Sequence, residues 1–249
     1  VLVLAAAGVG AGLGLRLSGG PPGPLPASLG VTENRIVPAS VLDIPLVDQG
    51  GQTMPLSAFR GKVVVLASFL TSCQETCPIT TGAYLEMQRA LDAAGVSNKV
   101  VLIEASVDPG RDVPERLAAY SGMAGTSWPL LTASAGELEQ LWKFFGIYFQ
   151  PVSEGNPPGI DWQTGQPYTY DVNHSDGFIL LDRNLHERFV TGAAPNTGGK
   201  LPANLKRLLS DEGRHDLADP GQGAWNVADG LQGVGWLLGR TIPSAPSAG

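Results

Sequence analysis

Cys73 and Cys77 are the only two cysteines in 249 residues, and three residues separate them in the run Phe69-Leu70-Thr71-Ser72-Cys73-Gln74-Glu75-Thr76-Cys77-Pro78. A pair at this spacing can close one disulfide, act as a redox couple, or give a metal two sulfur ligands. Its surroundings favour ionised sulfur. An apolar run leads in over residues 63–69, a polar turn carries the first cysteine, and Pro78 stands where the first turn of a helix tolerates a missing N–H. Apolar residues at helical spacing continue to Leu91. Strand, turn and helix in that order place both cysteines at a helix N-terminus, whose unpaired N–H groups and dipole favour thiolate over thiol.

The elements that must hold this turn can be read from the same pattern. Residues 63–69 and 100–107 are continuous apolar runs, the mark of strands covered on both faces. Residues 78–94 between them read as a helix closed by Gly95, which makes a βαβ unit with parallel strands and a right-handed crossover. Asp112-Val113-Pro114-Glu115 reads as an N-cap with a capping-box Glu, opening a helix to about Tyr120, and Ser134-Ala135-Gly136-Glu137 as a second box, opening a helix through Phe145. A short strand is expected over 128–132. The Gly, Pro and Asn density of 151–167 predicts a long loop or inserted hairpin. Residues 178–181 and 188–191 predict an antiparallel pair turned at Asp182-Arg183-Asn184, and 201–209 a closing helix. Ahead of the unit, 36–46 and 53–56 read as two strands of a hairpin with a Gly turn at 49–52. Parallel and antiparallel strands thus share one sheet with helices around it, an α/β fold.

The chain is 43% hydrophobic with mean hydropathy +0.06, and the excess lies at its two ends. Residues 1–17, uncharged before Arg16, read as a transmembrane anchor, with the apolar segment of a signal peptide as the alternative. Residues 18–35 read as a Pro- and Gly-rich linker that holds the domain off the membrane, and 36–213 as the folded domain. Residues 214–249 form a Trp-rich tail expected to stand apart from the core, its Trp residues at a membrane surface or on a partner, or else packed back on the domain. With a net charge of −7, a pI near 4.9 and no basic stripe, a nucleic-acid partner is excluded, and acidity argues against charge-driven binding to anionic lipid.

Three motifs taken together resemble the Sco (SenC) family: Cys73-x-x-x-Cys77-Pro78 after the first strand, Ser106-Val107-Asp108-Pro109-Gly110-Arg111-Asp112 with Pro114 after the second, and Asn173-His174-Ser175 before Phe178-Ile179-Leu180-Leu181-Asp182. The resemblance covers about residues 37–209. It implies a thioredoxin-like fold with an N-terminal β-hairpin and an inserted loop or hairpin. It also implies a copper chaperone that loads the dinuclear copper centre of cytochrome c oxidase during assembly. The metal would be copper, as Cu(I) or Cu(II), held by Cys73, Cys77 and His174. The partner would be the copper-bearing subunit of the oxidase, and the domain would sit on the extracytoplasmic side of a membrane: the periplasm or cell-wall side in a bacterium, the intermembrane space in a mitochondrion.

The chemistry of the residues agrees with that implication. Thiolate is a soft ligand suited to Cu(I), imidazole serves copper in either oxidation state, and a site of three ligands stays open to a recipient's ligands. His186, in the later hairpin, and His215, in the tail, are less well placed. Asp108, Arg111 and Asp112 are expected to cap and brace a helix. Asn173 stands where the family usually has Asp, which removes a charge beside His174.

Two other functions fit the same residues. A thiol–disulfide reductase would use Cys73 and Cys77 on the cysteines of the oxidase copper site, although such enzymes ordinarily carry two residues, not three, between their sulfurs. A stable accessory subunit of an oxidase assembly would use the N-terminal segment and the tail as binding surfaces. A peroxiredoxin is excluded, since no Pro and Thr stand ahead of Cys73 to activate a peroxidatic thiol.

Overall fold

The computed structural model describes residues 22–244. In chain order the elements are β1 (Val31–Ile36), α1 (Ala39–Leu42), β2 (Val47–Asp48), β3 (Val63–Phe69), α2 (Cys77–Ala93), β4 (Val100–Ser106), α3 (Pro114–Ala124), β5 (Leu130–Thr132), α4 (Ala135–Phe145), β6 (Phe149–Val152), β7 (Asp171–His174), β8 (Ile179–Leu181), β9 (His186–Val190), β10 (Pro195–Asn196), α5 (Ala203–Lys206), α6 (Asp211–Ala218), β11 (Trp225–Asn226) and α7 (Val227–Leu238). Seven strands form one sheet in the order β1-β9-β8-β3-β4-β5-β2. β3, β4 and β5 are parallel, while β8 joins β3, β9 joins β8, β1 joins β9 and β2 joins β5 in antiparallel pairs.

β3 is the centre of this arrangement because its residues allow nothing else. All seven are buried, as a run of Val, Leu, Ala and Phe broken only by Ser68 requires. Its register with β4 runs from Val63 opposite Val100 to Phe69 opposite Ser106, so both strands end at the same level. The turn that carries the cysteines and the turn that carries Asp108 to Asp112 therefore lie side by side, at the C-terminal edge where open α/β sheets place their sites. A second, small sheet pairs β6 with β7 and sets Phe149 opposite His174. It brackets the Pro- and Gly-rich stretch expected as a loop or inserted hairpin over 151–167, with β6 at its start and β7 just beyond its end.

Several expectations are corrected. The predicted N-terminal hairpin is only partly formed: β1 pairs with β9, residues 39–42 make a turn of helix, and β2 has two residues, bridged to Thr53. Pro38 and Pro45 have no N–H for a ladder, and Asp48 Oδ1 instead accepts from Gly50 and Gln52 N–H at 2.8 and 2.9 Å to close a tight turn. The closing helix expected over 201–209 shrinks to α5, followed by α6.

The tail does not stand apart. Trp225 is 1% exposed and meets Phe178 edge-on with ring centroids 4.9 Å apart, and Leu231 and Val234 of α7 belong to the main core. α7 lies against α2 and β3, and two of its glycines permit that approach: a Cβ on Gly230 would come within 2.9 Å of Met87 Sδ, and one on Gly233 within 2.5 Å of Leu180. At the other end Leu25, inside the expected linker, is also buried in this core. The folded unit therefore extends beyond 36–213 at both ends. The anchor expected at 1–17 lies outside the described residues, among which no helix is long and apolar enough to cross a membrane.

Two expected outcomes follow from this packing. Trp225→Ala, which empties a core position, should cost about 3–5 kcal/mol of unfolding free energy in urea titrations, whereas a loss within about 0.5 kcal/mol, typical of surface positions, would mean that the tail is not part of the core. Glu104, fully buried on β4, accepts from Thr81 Oγ1 at 2.7 Å and Trp128 Nε1 at 2.9 Å, and burial pushes its pKa from 4.5 up to about 7. Its folded pKa is raised, so its contribution to stability is full below about 4.5 and is lost as pH rises through about 7. Glu104 alone should thus contribute a fall of roughly 2–3 kcal/mol between pH 5 and 8, alongside the other buried carboxylates, and Glu104→Gln should reduce the slope by about that share. An unchanged slope would locate the titration elsewhere.

Candidate metal centre

The chain leaves β3 at Phe69 and enters α2 at Cys77 through a turn whose backbone is fixed by side chains from two other segments. Asp112 accepts from Thr71 N–H at 3.2 Å, from the Thr71 hydroxyl at 2.6 Å and from the Ser106 hydroxyl at 2.6 Å. Arg116 donates from Nε to Thr71 Oγ1 at 2.6 Å and from Nη1 to Asp161 Oδ2 at 2.8 Å, and Trp162 Nε1 donates to the Thr71 carbonyl at 2.7 Å. Asp112 is therefore not the cap expected of it. α3 starts at Pro114 after Val113, with no side-chain cap, because the Asp112 carboxylate is spent on the cysteine turn. Burial pushes its pKa up to about 6, against the pull of the Ser106 and Thr71 donors.

Asp108 and Arg111 brace the insertion rather than a helix. They pair with each other, Tyr170 Oη donates to Asp108 Oδ1 at 2.7 Å, and Arg111 Nη1 donates to the Tyr170 carbonyl at 2.9 Å. The second motif thus holds both the cysteine turn and the strand that leads to His174.

Cys73, Cys77 and His174 meet. Their ligand atoms all lie within 4.8 Å of one another, the one such group of His, Cys, Asp or Glu among the described residues. Both thiols are free. Cys77 N–H donates to Cys73 Sγ at 3.4 Å, the helix-start interaction expected of this turn, and Cys77 Sγ lies 3.5 Å from His174 Nε2. His174 Nδ1 lies 2.9 Å from the Ser175 carbonyl, which can only accept, so Nδ1 carries a proton and Nε2 faces the sulfurs. The same carbonyl accepts from Ser68 Oγ at 2.8 Å, which ties the end of β7 to β3. His186 and His215 lie outside this group.

The two sulfurs are unlike. A hydrogen bond from Cys77 outweighs burial and, with the His174 imidazole, holds the Cys73 thiol well below its ordinary value. Burial, and then the Cys73 sulfur, pushes Cys77 well above. Burial opposes charge on His174, but Cys73, and next Asp176, raise its pKa overall. Two carboxylates that sequence reasoning passed over stand close by. Asp176 accepts from Thr76 Oγ1 at 2.6 Å, and burial raises its pKa. Glu75 Oε2 lies 3.8 Å from Cys73 Sγ, and burial followed by the charge on Cys73 pushes Glu75 up to about 7. A cleft of about 400 Å³ opens beside Cys73, lined among others by Gln74, Ile160, Trp162, Tyr168 and Leu209.

The family model for SCO1/SenC matches residues 41–208. The chain belongs to the SCO1/SenC family. A SCO2-like protein of Rickettsia prowazekii is 25% identical over 179 residues, which cover 71% of this chain and 80% of that protein. Protein sco1 of Schizosaccharomyces pombe is 29% identical over 139 residues, 55% of this chain and 49% of the yeast protein, so the chain spans about half the length of that relative. The solved structure of Arabidopsis thaliana ScoI with copper bound matches with a TM-score of 0.50 at 20% identity, over 66% of this chain and 88% of that one, a likeness of the thioredoxin-like fold.

The asymmetry of the two thiols gives an expected outcome. At pH 7 iodoacetamide should alkylate Cys73 well over tenfold faster than Cys77, since the thiolate is the nucleophile and Cys73 is the more exposed at 8% against 2%. Peptide mapping by mass spectrometry reads the ratio. Equal labelling would contradict the assignment of the low-pKa sulfur.

Proposed function

We propose that this SCO1/SenC protein binds one copper ion through Cys73 Sγ, Cys77 Sγ and His174 Nε2, and delivers it to the copper-bearing subunit of cytochrome c oxidase during assembly. The observation that carries the reading is the preassembled trio, with three ligand atoms within 4.8 Å and an imidazole whose Nδ1 is committed to a carbonyl. Two thiolates and one imidazole are a soft, low-coordinate set that suits Cu(I) and also accepts Cu(II). Few ligands leave room for an incoming one, and the cleft beside Cys73 supplies an approach for it. The copper-bound ScoI from Arabidopsis is a relative in fold and supports the choice of metal. In this reading residues 1–17 anchor the protein and the domain faces the extracytoplasmic side.

A second reading rests on the inequality of the sulfurs. A low-pKa Cys73 beside a high-pKa Cys77 is the arrangement of an attacking and a resolving thiol, so a thiol–disulfide reductase acting on the recipient's cysteines remains the alternative. The accessory-subunit reading loses support, because Trp225 and much of α7 are buried in the core instead of displayed to a partner.

Anaerobic titration of the reduced protein with Cu(I) against a competing chelator separates the first two. One tight site is expected, abolished in Cys73→Ser and Cys77→Ser and weakened by more than about tenfold in His174→Ala. Weak binding, or binding indifferent to His174, would favour the reductase.

A further inference from the structure

The segment that walls the far side of the cysteine turn lies beyond the residues matched by the family, which end at 208. Ser210 N–H donates to the Gln74 carbonyl at 2.9 Å, and Ser210 Oγ donates to Glu75 Oε1 at 3.0 Å. The other oxygen of Glu75 accepts from Gln74 N–H at 3.1 Å and faces Cys73 Sγ at 3.8 Å. One serine therefore grips both the backbone and the side chain of the turn between the two sulfurs. Ser210 is itself fixed as the N-cap of α6, where its Oγ accepts from Gly213 N–H at 3.1 Å.

Gly213 adds a steric hold. A Cβ there would lie 2.2 Å from the Gln74 carbonyl oxygen and 3.0 Å from Glu75 Cα, closer than any side chain permits. The first turn of α6 thus presses backbone to backbone against the cysteine turn, and only glycine fits. α6 cannot retreat easily, since Leu217 and Leu209 pack with Ile79 of α2.

We propose that Ser210 and Gly213 are positioning residues for the two thiols, holding Gln74 and Glu75 so that Cys73 and Cys77 keep the spacing a shared metal requires. The proposal deepens the copper-binding reading and rests on it for its purpose. In the copper-free protein the same hold stabilises the dithiol arrangement, because it is built around two sulfurs that are close but unbonded. Loosening it makes the disulfide easier to form.

The test uses the full chain with Ser210→Ala, Ser210→Thr and Gly213→Ala, each checked for folding by circular dichroism. Two quantities are read: Cu(I) affinity against a chelator, and the Cys73–Cys77 dithiol–disulfide equilibrium of the copper-free protein in redox buffers. Ser210→Ala should weaken Cu(I) binding and favour the disulfide, each by roughly fivefold, the worth of about one hydrogen bond, and Ser210→Thr should restore both. Gly213→Ala should shift the disulfide equilibrium by about tenfold, a potential about 30 mV more negative. Should Gly213→Ala fail to fold, the serine pair decides. Folded Ser210→Ala with both quantities within about twofold of the parent, a change below one hydrogen bond, would overturn the proposal and leave the copper reading intact. A chain that binds no Cu(I) but whose disulfide equilibrium shifts as expected would instead remove the copper reading and leave the positioning role standing.

Discussion

A buried carboxylate without a direct cation partner holds this molecule's working edge in place. Asp112 has no exposed surface, and its oxygens are satisfied by Thr71 N–H, the Thr71 hydroxyl and the Ser106 hydroxyl. Burying such a group is tolerable only while those donors stay in position, since each lost partner costs about 1–3 kcal/mol or more for a charged acceptor. The turn after β3 and the turn after β4 are therefore locked to each other, on top of the ladder that already aligns Phe69 with Ser106. Arg116 extends the lock to a third segment by bonding Thr71 and Asp161 together. A displacement of the cysteine turn would break several buried polar contacts at once, which is how a loop comes to hold two sulfurs in a fixed arrangement that loops ordinarily hold poorly.

The electrostatics of the centre decide which protons a bound cation would have to displace. Cys73 is held towards thiolate by the hydrogen bond from Cys77 first and by His174 after it, while His174 is raised by Cys73 against its own burial. Glu75 and Asp176 stand nearby with raised pKa values, burial being the main cause for both. A metal arriving at His174 Nε2 would displace the proton there, so loading would weaken as pH falls. The negative sulfur that raises the histidine is one that would then bind the ion, and Cys77, whose thiol is raised by burial and then by Cys73, would give up its proton to bind as the second sulfur.

The main βαβ unit was legible because its strands are nearly continuous apolar runs and its helix carries Pro78 in the first turn. That Cys73, Cys77 and His174 belong together was legible through cysteine spacing and family resemblance, but not their geometry: the route that brings His174 to the sulfurs runs through the β6–β7 pairing, a contact between residues far apart in sequence with no strong pattern. Asp112 misled because Asp, two residues before Pro and three before Glu, has the local signature of a helix start, and tertiary donors outcompeted the local cap. The tail misled for a different reason. Gly230 and Gly233 spaced among Leu, Val and Trp look alike whether the face meets lipid, a partner or the chain's own core. Only the presence of Met87, Leu180 and Leu25 at those positions distinguishes the last.

The departure at Asn173 can now be judged physically. Strand alternation sends neighbouring side chains to opposite faces, and Asn173, exposed on β7, points away from the side on which His174 meets the sulfurs. An aspartate there would act on the imidazole only from across the strand. Asp176 supplies a closer negative charge: it is held by the Thr76 hydroxyl at the start of α2 and raises His174 through space. Orientation of the ring depends on neither residue, because the Ser175 carbonyl fixes Nδ1 and is itself anchored by Ser68. The loss of the family's usual charge therefore leaves the tautomer intact, and the tuning of the ring passes to a carboxylate in the loop after β7 that is tethered to the start of α2.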